Sequence, residues 1–137
     1  MKAEKTPAIL LPQQQVNLGR LFDKKRTYLK ASWLGHSSLL INIDGYSILT
    51  DPIFESKVSP VEPTRFHKKL PLNVQNLPLM DVIIISHDHY DHLNKFSIQQ
   101  LSDKTGLFIV PLRVGKRLAQ WGVPEKKIVK LNWWDQR

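Results

Sequence analysis

Cysteine is absent from the 137 residues. That removes disulfide frameworks, thiolate metal sites and cysteine nucleophiles, and leaves imidazole and carboxylate as the available metal ligands. Also missing is any run of about 18 or more apolar residues, so no segment reads as a membrane-spanning helix. The charged start, Met1-Lys2-Ala3-Glu4-Lys5, leads only to Ala8-Ile9-Leu10-Leu11, which is too short for the apolar core of a secretory signal. The expected location is cytoplasmic, with peripheral membrane contact as the alternative. Low-complexity tracts are lacking too, and at this length the chain is one domain at most. Acidic residues are in short supply, 12 against 20 basic ones, for a net charge of +8. Most of the excess lies in residues 1–30, where seven basic residues face two acidic ones. Such an arm can touch phosphates or an anionic membrane, but a solvated charge run explains it more simply. Lys24-Lys25-Arg26 has no interleaved aromatics, so nucleic acid is not an expected partner.

Residues 1–27 read as a basic arm, in which Pro7, Pro12 and Gln13-Gln14-Gln15 oppose a long helix and residues 16–25 allow a short one. From residue 28 the pattern turns to strands, over 28–34, 38–43 and 46–50. Asp44-Gly45 forms the two-residue hairpin turn whose central positions need positive φ. Asp51-Pro52 ends that meander. Residues 55–78, with Pro60, Pro63, Pro71 and Pro78, read as a long surface loop. Beyond it lies a strand over 82–85, four aliphatic residues in a row that predict burial on both faces. Asn94 caps a helix over residues 95–103, with Phe96, Ile98 and Leu101 inward, Gly106 as its stop and Lys104 at its negative end. A strand at 107–110 follows, then a helix carrying Val114, Leu118 and Trp121 up to Gly122 and Pro124, then a strand at 128–131. The alternation after residue 82 predicts parallel strands with right-handed crossovers.

The chemistry concentrates where the 82–85 strand ends. Ser86-His87-Asp88-His89-Tyr90-Asp91-His92 places groups that are costly to bury unless compensated, and a metal ion is the natural compensation. His87 and His89, two apart in extended backbone, point the same way and can share one ion; Asp91 and His92 can reach a second nearby. Two ions about 3.5–4 Å apart clamp the oxygens of a phosphoryl or acyl displacement. Imidazole and carboxylate suit zinc, iron or manganese, with zinc the default. A bland reading, in which Asp88 and Asp91 merely cap a helix, accounts poorly for four ligand-type residues at this spacing. Tyr90 either lines the pocket or packs.

The H-x-H-x-D-H pattern resembles the signature of the metallo-β-lactamase superfamily. Three further blocks are similar to its N-acyl-phosphatidylethanolamine phospholipase D-like branch: Trp33-Leu34-Gly35-His36-Ser37-Ser38, Leu49-Thr50-Asp51-Pro52-Ile53-Phe54 and Leu131-Asn132-Trp133-Trp134. The resemblance implies an α/β chain of the α+β type, residues 28–137 being the first half of an αββα sandwich. It implies a phosphodiesterase with two divalent ions, most simply Zn2+, and a metal-bridging hydroxide that attacks phosphorus. His87, His89, Asp91 and His92 are then the metal ligands, with Asp91 also counted as catalytic. Asp51 and His36 stand behind them, although a turn aspartate before proline and a satisfied structural histidine fit those two as well. His67, beside Arg65, Lys68 and Lys69, reads as basic surface. Phospholipid or a small phosphoester is the implied substrate.

The superfamily completes its site with a downstream His, a bridging Asp and another His, and none of these is evident after His92. The expectation is therefore an incomplete, inactive fragment with an exposed apolar sheet face, which self-associates or is complemented by the missing half. An ascorbate-6-phosphate lactonase-like hydrolase and a non-catalytic half-domain used for binding are the alternatives.

Overall fold

The computed structural model describes residues 9, 12–23, 28–55 and 70–136. Six strands form one sheet in sequence order: β1 (Lys30–Gly35), β2 (Ser38–Ile43), β3 (Tyr46–Thr50), β4 (Met80–Ile84), β5 (Thr105–Pro111) and β6 (Ile128–Leu131). β1, β2 and β3 pair antiparallel, whereas β3 with β4, β4 with β5 and β5 with β6 pair parallel. The helices are α1 (Leu18–Leu21), α2 (Lys95–Leu101) and α3 (Val114–Gln120). The expected meander followed by strand, helix, strand, helix, strand is what the chain adopts. Its hairpin turn has Asp44 and Gly45 at φ 49° and 86°, the left-handed values that a two-residue loop demands.

The two faces of the sheet differ. Leu40, Leu49, Ile83 and Phe108 are direct cross-strand partners from β2 to β5, all fully buried. They share one core with Ile98 and Leu101 of α2 and Val114 and Leu118 of α3. The next row, Ala31, Ile41, Ile48, Val82 and Leu107, points to the opposite face and is exposed or only half-buried. That face is apolar across five strands and open. The strand at residues 82–85 is thus buried on one face, not two: Ile83 and Ile85 lie inside, Val82 and Ile84 half outside.

Several local expectations need correction. Within the long loop, residues 56–69, and with them His67, Arg65, Lys68 and Lys69, lie outside the described residues, as does the basic run at 24–26. Its later part is not surface: Leu72, Val74 and Leu77 insert into the core around a short 3-10 turn, Val74–Asn76, capped by Asn73. α2 ends at Leu101, because Thr105 Oγ1 and the Lys104 backbone N–H both donate to the Leu101 carbonyl. Gly106 therefore lies inside β5, where an added Cβ would come within 2.9 Å of the Asp81 carbonyl oxygen. The Lys104 ammonium donates to the Gln75 and Leu77 carbonyls, tying the 3-10 turn rather than serving α2. Phe96 is exposed and Ser97 takes the inward place, since its hydroxyl accepts from the Phe54 backbone N–H and donates to Asn94 Oδ1. Leu21 of α1 is buried in the same core, and the Val16 N–H donates to the Pro71 carbonyl.

Two predictions arise here. Asn94 caps α2 by accepting from the Ser97 N–H, so Asn94→Ala should lower stability by about 1 kcal/mol in urea unfolding. At the other end of β4, Ser47 donates its N–H and hydroxyl to Asp81 Oδ2, both at 2.7 Å. The Ser47 backbone and side-chain hydrogen bonds hold the Asp81 carboxyl below its ordinary value despite some burial. A depressed folded pKa favours the fold above the unfolded value and loses that contribution as pH falls through the lower folded one. The loss of stability between neutral pH and pH about 3 should accordingly be smaller in Asp81→Asn than in the parent chain.

Candidate metal centre

β1 and β3 both run parallel to β4, so the β1–β2 turn and the ends of β3 and β4 meet at one edge of the sheet. The turn supplies His36, the end of β3 supplies Asp51, and the segment after β4 supplies Ser86 to His92. The ladder continues briefly past β4, as the Asp51 N–H donates to the Ile84 carbonyl and the Ile85 N–H to Ile109. His36 and Asp51 both sit at positive φ, 49° and 37°, uncommon for non-glycine residues and held only where the surroundings demand it. For His36 part of that demand is visible: Trp33 Nε1 donates to its carbonyl at 2.8 Å.

Asp51 is the centre of the hydrogen-bond network. It is 5% exposed, and its Oδ1 accepts from the Ser86 N–H at 2.7 Å. Its Oδ2 accepts from the Ser86 hydroxyl at 2.7 Å and lies 2.9 Å from His92 Nδ1. Donor logic then assigns the imidazole protons. A carboxylate only accepts, so His92 Nδ1 carries its hydrogen and Nε2 presents a lone pair. Ser86 has spent its single hydrogen on Asp51, so its oxygen accepts from His87 Nδ1 at 2.9 Å, and His87 Nε2 presents a lone pair as well. Carboxylate-oriented imidazoles of this kind are the usual preparation for a metal ion.

The ligand-type atoms converge in two groups. His87 Nε2 and His89 Nδ1 are 3.1 Å apart, close to the roughly 3.3 Å that separates two ligands on one tetrahedral ion with bonds of about 2.0–2.1 Å. His36 Nε2, Asp91 Oδ2 and His92 Nε2 form a triangle with edges of 2.8, 3.7 and 3.3 Å. Among the described residues it is the group of three acidic or imidazole side chains that can hold a metal ion. The His87 and His92 rings lie 3.9 Å apart between their centroids and join the two groups. Burial pushes the Asp91 carboxyl up, but its own backbone N–H and the His92 and His36 imidazoles outweigh this and leave it below its ordinary value. Asp91 is thus charged near neutrality. The donor set fits one or two divalent ions.

The structure brings together His36, Asp51, His87, His89, Asp91 and His92. Tyr90 is exposed, and Asp88 points away to face Arg117 of α3 at 3.6 Å. Sequence reasoning missed Ser86, whose hydroxyl fixes one proton arrangement and whose backbone N–H fixes Asp51. A serine between three isoleucines and the first histidine was the available signal. Nothing in the sequence pointed to Arg117.

Residues 46–137 match the profile of the beta-lactamase superfamily domain. The chain belongs to the metallo-β-lactamase superfamily. Members of this superfamily are metal-dependent hydrolases. An uncharacterised protein of Mycobacterium tuberculosis is 44% identical over 131 residues, 93% of this chain and 34% of its own length. An N-acyl-phosphatidylethanolamine-hydrolyzing phospholipase D of Caenorhabditis elegans is 30% identical over 113 residues, 77% of this chain and 32% of its own. A metal-dependent hydrolase of Sulfurisphaera tokodaii is 30% identical over 102 residues, 73% of this chain and 40% of its own. The chain thus spans about a third of the length of the first two of these curated relatives. Among solved structures, the diiron β-hydroxylase CmlA of Streptomyces venezuelae shares the fold with a TM-score of 0.58 at 18% identity, over 78% of this chain and 21% of its own. The superfamily implies divalent metal ions, in keeping with the imidazole and carboxylate groups at the strand ends.

Proposed function

We propose that this chain carries part of the active site of a phosphodiesterase of the N-acyl-phosphatidylethanolamine phospholipase D type, acting on a phospholipid. The observation that carries the reading is the convergence of His87 Nε2 with His89 Nδ1 and of His92 Nε2 with Asp91 Oδ2, beside a carboxylate, Asp51, that orients His92 directly and His87 through Ser86. The similarity to phospholipases D that hydrolyse N-acyl-phosphatidylethanolamine supports the substrate class. His87 and His89 hold one ion, Asp91 and His92 a second. Asp51 orients His92, and through Ser86 it orients His87. His36 lies beside the second ion and faces Asp91. Divalent ions at these positions supply Lewis acidity and lower the pKa of coordinated water, and zinc suits the donor set. The residues themselves keep imidazole lone pairs aimed inward and Asp91 charged.

The proposal extends to the architecture. Residues 28–137 form one half of a two-sheet sandwich, residues 1–27 a basic arm whose α1 packs on that core, and further ligands and a second sheet come from sequence of the kind that fills the other two-thirds of the relatives. The open apolar face supports this, since soluble monomers rarely leave so wide a patch uncovered. Two measurements test the reading. Cobalt titrated into the chain should give the visible absorption of a tetrahedral nitrogen- and oxygen-ligated ion, and His87→Ala with His89→Ala should remove the first site. In the longest native product that carries this stretch, N-acyl-phosphatidylethanolamine should yield phosphatidate in a chelator-sensitive reaction. Release of free fatty acid instead, or turnover indifferent to chelation, would refute the phosphodiesterase reading.

A further inference from the structure

A second site candidate lies at the opposite end of β4 from the histidines. An open cleft of about 680 Å³ is bounded by the β2–β3 hairpin, by Pro78 and Leu79 ahead of β4, and by the residues that follow α1. We propose that it binds a small organic ammonium ion, with Asp81 and Asp44 supplying charge, the Asn42 side-chain oxygen accepting an N–H, and Tyr46 and Phe22 offering ring faces.

Four observations carry this. The first is Asn42, which is 4% exposed, lines the cleft and has no side-chain hydrogen bond among the described residues. Buried amides in native proteins are nearly always partnered, so this one calls for a ligand or an ordered water. The second is the preparation of Asp81. Ser47 binds its Oδ2 twice and, through its own oxygen, accepts from the Asp81 N–H at 2.9 Å, which pins the carboxylate. Those hydrogen bonds also hold its pKa down, so it is charged at neutral pH.

The third is charge. In a chain with 20 basic and 12 acidic residues, the described lining of this cleft brings Asp44 and Asp81 and no Lys or Arg. The nearby Lys30 ammonium is directed at the Arg20 and Asp23 carbonyls. The fourth separates an organic cation from a metal. Among the described residues the group of three acidic or imidazole side chains that converge within coordinating reach is the one at the histidine cluster, so this cleft offers no three-ligand metal site. A larger cation can lie between Asp44 and Asp81, and the face of Tyr46, 63% exposed, is suited to it.

The test is NMR titration of the 15N-labelled chain with n-butylammonium and, in parallel, n-butanol and magnesium. Butylammonium should shift the Asn42 side-chain amide and the Tyr46 signals, and butanol should not. Asp81→Asn and Asn42→Ala should each weaken binding about tenfold or more, the scale of losing one hydrogen bond to a charged group. Because Asn42 is buried and its variant can misfold, Asp44→Asn in the exposed hairpin serves as a second variant. It should weaken binding while leaving the rest of the spectrum unchanged. His87→Ala should bind butylammonium as the parent does, which separates this site from the metal centre. Equal shifts with butanol, competition by magnesium at equal concentration, or an Asn42 amide indifferent to the amine, as a resident water would leave it, each overturn the proposal.

Discussion

Replacing Asp51 with alanine is expected to weaken divalent metal binding by about 10–100-fold, the usual effect of removing the group that orients a ligating imidazole. The size follows from how much one carboxylate does here. It accepts from the Ser86 N–H, the Ser86 hydroxyl and His92 Nδ1, so its loss releases the proton arrangement of both His92 and His87. The Ser86 N–H also loses its acceptor, and stability should fall by about 1–3 kcal/mol. Competition against a chromophoric chelator measures the first effect, urea unfolding of the metal-free chain the second. Asp88→Ala is the control on the same segment. Its pairing with Arg117 is exposed and 3.6 Å long, so both readouts should barely move. If Asp51→Ala bound metal as tightly as the parent, the role given to Asp51 would be wrong.

Ile83→Ala is expected to cost about 2–5 kcal/mol and Val82→Ala much less, although the two are neighbours on one strand. Ile83 is fully buried between Leu49 and Phe108, so its truncation leaves a cavity in a packed row. Val82 lies half-buried on the open face between Ile48 and Leu107, where solvent already reaches. Urea unfolding at several protein concentrations checks both. A large cost for Val82→Ala, together with stability that rises with concentration, would mean that the open face is covered by another copy of the chain.

Strand order and direction were legible in the sequence because they rest on strong local signals. Asp44-Gly45 can close little but a hairpin, and apolar segments alternating with capped helical segments call for parallel strands. The inward face of α2 was legible at Ile98 and Leu101 but not at its first turn: Phe96 is the better hydrophobe, yet Ser97 takes the core position because it satisfies the Phe54 N–H, a partner far away in sequence. Burial on both faces of the 82–85 strand failed for a related reason, since four aliphatic residues in a row state an affinity for cover but not whether cover is there. At the metal centre, the side-chain types and spacing were readable. The part played by Ser86 was not, because it depends on which hydrogen a hydroxyl has already given away.

The seam between β3 and β4 has a kinetic consequence. β1, β2 and β3 are joined by short turns and need only local encounters to form. By contrast, Asp51 meets Ser86 thirty-five residues away, across a parallel pairing that must wait for a long loop to close. The six clustered residues straddle that late joint, with His36 and Asp51 on the early side and the histidine segment on the other. An ion bound there would therefore act as a clasp on the slowest contact of the fold. At a free concentration 100 times Kd it would hold the joint closed by about 2.7 kcal/mol, and amide exchange across Asp51, Ile84 and Ser86 would slow in proportion.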